Sequence, residues 1–242
     1  VLGDWIRANL VRFFDDQGIL VYWRIENMSE DFVMGSTIGS ATVLLTPLIA
    51  LMKWTFAWGG VVHFKVGLWR VCGYKVDPYF NFPWLSTNLV SLWSRFTFHY
   101  REFLVRAFYY PVFFKFFKGH THLRIFTATM AAACFGNLIW GHMTEAVFYS
   151  GVNRNSIFIS LNQWPYFVLL GLGITASEFW LLHKKKSPRR PWTPDKYIGW
   201  DVLSAYVTLQ YFALIHIFVY TAPEATLADS FRLFLTGLGI HF

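Results

Sequence analysis

Charge is what this sequence has least of. Only 14% of its 242 residues are Asp, Glu, Lys or Arg, where soluble domains carry roughly 25%. A chain this poor in charge cannot cover a globular surface with solvated groups, which excludes an ordinary soluble domain. Cysteine is nearly absent as well. Cys72 and Cys134 are the only two, and they form no CxxC or ligand-spaced set. That excludes a disulfide framework or a cysteine-built metal site, and their apolar neighbours predict reduced, buried thiols. No P-loop, dinucleotide fingerprint or serine nucleophile elbow occurs. Neither an internal repeat nor a low-complexity linker breaks the chain, so one domain over 1–242 is expected. No cleavable signal peptide is visible. The opening 1-VLGDWIRANLVRFF-14 is amphipathic and lacks an initiator Met, and the chain is expected to be the retained part of something longer.

What is abundant is apolar. Hydrophobic residues make up 55% and aromatics 21%, which points to a polytopic, all-α membrane protein. Four runs approach the about 20 residues that cross a bilayer: 37–58, 125–144, 164–182 and 202–222. The first holds one charge, Lys53; the third holds one, Glu178; the others hold none. Pro47, Gly171 and Gly173 inside them are tolerated where neighbouring helices re-satisfy the backbone. The small-residue string 127-TATMAAACFG-136 suits close helix approach in lipid. Residues 1–36 read as an amphipathic, peripheral lead-in and 37–242 as the helical bundle.

The net charge of +7 does not read as a nucleic-acid footprint, because the basic residues are interleaved with runs of Phe and Leu. They read as membrane anchors facing lipid. Lys53, Lys65, Arg70 and Lys75 follow the acidic 24-RIENMSEDF-32. Arg95, Arg101, Arg106, Lys115, Lys118 and Arg124 precede the second run, and 183-HKKKSPRRPWTPDK-196 separates the third from the fourth. Positive-inside bookkeeping puts 59–124 and 183–197 on the cytoplasmic side, and 149–163 and 222–227 on the other. Lys184, Lys185, Lys186, Arg189 and Arg190 set topology and touch anionic headgroups. A bacterial inner membrane or an organellar membrane suits this equally. The aromatic run 103–117, broken by Arg106, Pro111 and Lys115, is expected to lie in the interface or to dip in and return. The end, 229–242, is too short to span and is expected to pack on the bundle.

The stretch 59-GGVVHFKVGLWRVCGYKVDPYFNFPWLSTNLVSLWSR-95 carries Gly67, Leu68, Arg70, Gly73 and Tyr74. Asn81, Phe82, Pro83, Leu85, Ser86, Leu89, Trp93 and Arg95 follow in order. This resembles the most characteristic region of the membrane-bound O-acyltransferase (MBOAT) family, in the bacterial branch that acetylates alginate and other exported polysaccharides. The stretch 214-LIHIFVYTAPEATLADSFRLFLTGLG-239 is similar to that family's closing pattern. Typical members are nearly twice as long, so the resemblance covers a C-terminal half. It implies a helical membrane bundle around a partly hydrophilic chamber, and acyl transfer from a thioester donor such as acyl-CoA to a hydroxyl, with no bound cofactor and no metal. The polar positions depart from the family pattern. His63 stands where Asp is frequent, the histidine of the "R-W-H" motif is displaced to His99, and Ala107 replaces the carboxylate of "R-D-Y". The hallmark "W-H-G", whose histidine is held to be catalytic, appears as 140-WGH-142.

His142 therefore has two readings. As a base it would take the proton of an acceptor hydroxyl attacking a thioester, with Asn137 or His99 orienting it or steadying the oxyanion. As a structural residue it would be a hydrogen-bonded histidine at a helix end, near Trp140, Thr144 and Glu145. The one-residue shift turns position 142 by about 100° in an α-helix, away from the family's chamber unless the helix is rewound. His216, alone in the fourth run, is expected to bond a neighbouring helix. His120 and His122 lack a third ligand for a metal. Two functions stay open: an acyltransferase, or a catalytically degenerate relative serving as a structural subunit of a larger membrane complex of respiratory or photosynthetic type. A small transporter or channel has only the scattered histidines in its favour.

Overall fold

The computed structural model describes residues 2–143, 151, 163–185 and 199–241; for 140–143 it describes backbone alone. All regular structure among them is helical. Among the described residues, three helices are long and apolar enough to cross a membrane: Ser40–Val71, Trp164–His183 and Gly199–Phe218. The second expected run, 125–144, is helical from Thr121 to Met143, and its end at 144 lies outside the described residues, as does most of 149–163 and of 183–197. By packing, the chain forms two compact units, Val1–Pro78 with Leu209–Phe242, and Tyr79–Thr208.

The first unit is built on α1 (Leu2–Asp16), α2 (Ile25–Val33) and α3 (Ser40–Val71). Its core joins Ile25, Met28, Ile38 and Val43 to Leu214, Ile217 and Leu233. The lead-in is part of this packing. Gly3 lies so close to α3 that a Cβ there would stand 3.0 Å from the Lys53 carbonyl, and Asp4 pairs with Lys53 at 3.1 Å. Ser29 ties α2 to the far end of the chain by accepting the N–H of Ala222 at 2.6 Å. The Tyr22 hydroxyl donates to Asp31 at 2.7 Å, and burial first, then this carboxylate, pushes the phenol up to about 12.

Helix α3 contradicts the expected end at residue 58. Gly59 and Gly60 do not stop it, and it runs on to Val71, about 48 Å at 1.5 Å per residue. Pro47 cannot donate to the carbonyl one turn earlier, and the ladder beside it takes partners from outside the helix. Gln210 donates to the Leu44 carbonyl at 3.0 Å, and Thr46 accepts the N–H of Tyr22 at 3.2 Å. The true stop is Gly73, at φ +87°. Its N–H reaches the Arg70 carbonyl and that of Tyr74 reaches Trp69, both at 3.0 Å, the two bonds of a Schellman close. The Trp69 and Tyr74 rings meet edge-on at 5.2 Å across it. Arg70 then fastens the outgoing chain with two bonds to the Val76 carbonyl, at 2.9 and 2.7 Å. Cys72, at this helix end, is exposed rather than buried, because the C-cap residue leaves the packed face.

The second unit opens with a 3-10 turn, Pro83–Leu85, and α4 (Leu89–Arg95), capped by the Asn88 side chain on the N–H of Ser91 at 2.8 Å. Backbone bonds from Asn81 to Arg95 and from Phe98 to Tyr79, each 2.9 Å, clamp the two ends of this segment together. Then α5 (Phe98–Leu104), a π-helical turn (Val105–Tyr109) and α6 (Tyr110–Lys115) run on without a break. The helix does not reverse between 103 and 115, so the dip and return, one of the two paths expected for 103–117 beside lying in the interface, does not occur there. The wide turn absorbs Pro111, whose missing N–H would have interrupted an α-ladder. The chain reverses after Lys115 into α7 (Thr121–Thr129), which continues as a π-helix from Met130 to Met143. Then come α8 (Trp164–His183) and α9 (Gly199–Ile215), which ends in the 3-10 turn His216–Phe218.

The last helix, α10 (Leu227–Gly237), packs in the first unit and starts with a capping box. The N–H of Asp229 donates to the Thr226 hydroxyl at 3.2 Å. Asp229 in turn accepts from that hydroxyl at 2.6 Å and from the Thr226 N–H at 3.0 Å. These bonds, the hydroxyl's first, hold the carboxyl below its ordinary range. A depressed folded value means that this stabilisation is present above the unfolded carboxyl range and is lost as pH falls through the folded value. Thr226→Ala should cost about 1 kcal/mol. Detergent-solubilised wild type and variant should differ in melting temperature at neutral pH, and the difference should narrow in strong acid to the share of the Asp229 N–H bond to the hydroxyl; a constant difference would show that the box does not titrate.

Candidate functional site

Polar residues of the second unit gather where α5, α7 and α8 meet. Glu178, the single charge of its apolar run, accepts a hydrogen bond from the Thr129 hydroxyl at 2.9 Å. Thr129 is fully buried at the last α-helical position before the π-helix. Arg101 acts on the same carboxylate electrostatically, while its guanidinium pairs with Glu102 and lies over the Trp93 ring, 5.4 Å from the centroid. Tyr109, in the π-turn, lies within electrostatic reach of Glu178, Arg124 and Arg101. Its ring stacks on Phe113 at 5.4 Å, and Arg124 sits on that same Phe113, 4.2 Å from the centroid. The Nε atoms of Arg101 and Arg124 are buried without a partner among the described residues.

Small residues make this junction close. Gly171 of α8 faces Met130 and Cys134, so that a Cβ there would stand 2.6 Å from the Met130 sulfur. Gly136 accommodates the ring of Phe108, which a Cβ would meet at 2.7 Å. The π-helix therefore carries, on successive turns, the positions that admit α8 and the 98–115 helix.

The three residues expected to share the chemistry fare differently. Asn137 is half-buried in the π-helix, and its side-chain oxygen accepts the Tyr100 hydroxyl at 2.9 Å. His99 is exposed, with its ring near those of Tyr79 and Phe98, at 6.2 and 5.4 Å. Adjacent helical positions diverge by about 100°, so Tyr100, facing Asn137, leaves His99 on a different side of α5. His142 closes the described part of the π-helix by its backbone; its side chain, like those of Trp140, Thr144 and Glu145, lies outside the described residues. The structure thus joins Asn137 to Tyr100 rather than to His99.

His216 is packed by its own helix. Its Nδ1 bonds the Phe212 carbonyl at 2.6 Å, and since a carbonyl only accepts, that nitrogen carries the proton. The ring lies edge-on to Phe212 and parallel to Tyr220. This bond is a local one, made within the helix that carries the ring. Sequence reading isolated Glu178 as the single charge in its run but missed Thr129, Tyr100, Tyr109 and the two arginines, which looked like interface anchors.

Comparison with family models, with curated proteins and with solved structures returns no match to this chain. Chemically, the junction holds a hydroxyl-bound carboxylate, two guanidinium groups supported on aromatic faces, and an amide fixed by a phenol. In apolar surroundings such groups are expensive unless paired. Thr129→Val should destabilise the protein by about 1–3 kcal/mol, since Glu178 loses its hydrogen-bond donor, whereas Thr129→Ser should stay close to wild type. Melting curves of the two variants in one detergent check this; equal stability of Val and Ser would remove the bond from the account.

Proposed function

We propose that this chain is a polytopic membrane-embedded O-acyltransferase similar to the C-terminal half of the MBOAT fold, moving an acyl group from a thioester donor to a hydroxyl acceptor. One observation carries the reading: the helix that holds Asn137 and His142 is π-helical from Met130 to Met143. In an α-helix the position one turn beyond Asn137 on the same face is 141, four residues on. Five α-helical steps would leave 142 about 140° away from Asn137, and the wider i→i+5 winding turns the chain less per residue and brings it closer. The swapped order of 140-WGH-142 and the wider winding therefore partly offset each other, and the histidine position moves back toward the face that holds the amide. The long π segment is itself of a kind that is found frequently at functional sites.

On this reading His142 takes the proton from the acceptor hydroxyl as its oxygen attacks the thioester carbon, and later yields it to the departing thiolate. Asn137, its carbonyl oxygen engaged by Tyr100, keeps its NH₂ for the oxyanion. The second reading, a non-catalytic subunit of a larger membrane complex, draws on the exposed His99 and on the lost carboxylate at Ala107.

Chain reconstituted in proteoliposomes should consume acetyl-CoA in the presence of polysaccharide or lipid hydroxyl acceptors. His142→Ala should lower the rate by roughly a hundredfold or more, the scale of a general base, with insertion unchanged. Wild-type rates in that variant, or no thioester turnover by the native chain with any acceptor, would favour the structural subunit.

A further inference from the structure

Arg101 and Arg124 are half-buried cations held in an unusual way. Each rests on an aromatic face, Trp93 at 5.4 Å and Phe113 at 4.2 Å, and each keeps a buried Nε that no described group accepts from. Buried donors are nearly always satisfied, and a guanidinium supported from below presents its planar fork sideways, ready for an oxyanion. Tyr109 stacks on Phe113, the ring that carries Arg124, and feels both cations electrostatically. The neighbouring carboxylates are already engaged. Glu102 pairs with Arg101 and stands 3.9 Å from the Arg106 Nε, and Glu178 is bound by Thr129. Among the described residues, three guanidinium groups against two carboxylates leave a positive excess.

The surroundings extend that excess outward. The His122 ring meets Phe179 at 4.9 Å, edge-on, which fixes the start of α7 beside the end of α8. Arg124 follows His122, Lys115 and Lys118 precede α7, and Lys184 follows α8 with its ammonium 4.9 Å from the Trp180 ring. Cations of one sign at the mouth of an apolar helix junction concentrate an anion there.

We propose that Arg101, Tyr109 and Arg124 form a binding site for a phosphate ester. The open Nε edges of two guanidinium groups and a phenol suit a tetrahedral group with several oxygens, where a carboxylate would be satisfied by one fork alone. The phosphate belongs either to an anionic phospholipid headgroup or to a soluble ester. The site does not depend on the acyl-transfer reading, and its test does not read acyl transfer.

The full chain, purified in a neutral detergent, is melted with increasing phosphatidylglycerol, with diacylglycerol of the same acyl chains, and with pyrophosphate. Melting temperature should rise saturably with phosphatidylglycerol, with pyrophosphate or with both, and not with diacylglycerol; the active probe identifies the source. Arg101→Lys with Arg124→Lys keeps the charge and removes the forks, and should raise the half-saturating concentration by roughly tenfold. Tyr109→Phe, which disturbs packing least, should raise it by less and serves alone if the double variant does not fold. No rise with either phosphate probe, an equal rise with diacylglycerol, or wild-type binding by these variants would overturn the proposal.

Discussion

The second unit depends on a helix that winds too wide. From Met130 to Met143 the backbone adopts π geometry, which costs hydrogen-bond quality and persists only where the surroundings insist on it. Here two neighbours do. Phe108 presses its ring onto Gly136, and Gly171 admits Met130 and Cys134 of the same helix. One neighbouring segment, Val105–Tyr109, is itself π-helical, so both wide stretches meet near Phe108. A change in winding on one side sets the register of side chains offered to the other, and Asn137 meets Tyr100 as a result.

The same constraint takes a different form in the first unit. Pro47 is a fault in an apolar helix, and the polar groups around it find partners on other segments, Gln210 from α9 and Tyr22 from the lead-in. In so apolar a chain each irregularity must recruit a partner, because water is a poor competitor inside a helical core. Residues 1–36 are thereby drawn into the packing, with Ile25 and Met28 among the core residues. Their amphipathic pattern is that of helices with one face committed.

Much of this was legible in the sequence. Apolar periodicity and charge spacing gave the helical class and the positions of 164–183 and the 200s helix, since a long run bounded by polar residues has few alternatives. Helix ends were less legible. The stop at Gly73 rather than at Gly59 rests on a positive φ, and a glycine pair inside a helix reads the same as one at its end. Pro111 suggested a break because the sequence does not announce a π-turn that can absorb it. The candidate site was half legible. Asn137 and Glu178 stood out as polar residues in apolar runs, whereas Tyr100 and the arginines resembled ordinary interface residues until their partners were known.

Arg101 pairs with Glu102, yet both arginines also rest on rings, and the reason follows from the cost of burial. An ion pair in an apolar setting must repay the desolvation of both partners, and it often fails to do so. A ring face offers a guanidinium partial compensation without committing its edge. Glu178 does not close on Arg124 in this structure; its hydrogen bond comes from a neutral threonine. A fully paired cluster would be inert, a lock between α5, α7 and α8. By leaving the Nε edges of Arg101 and Arg124 open while satisfying the carboxylates elsewhere, the junction keeps positive charge available in a place where keeping it is costly. Stability alone gives no reason to maintain that arrangement, since apolar residues of similar volume would hold the three helices at least as well.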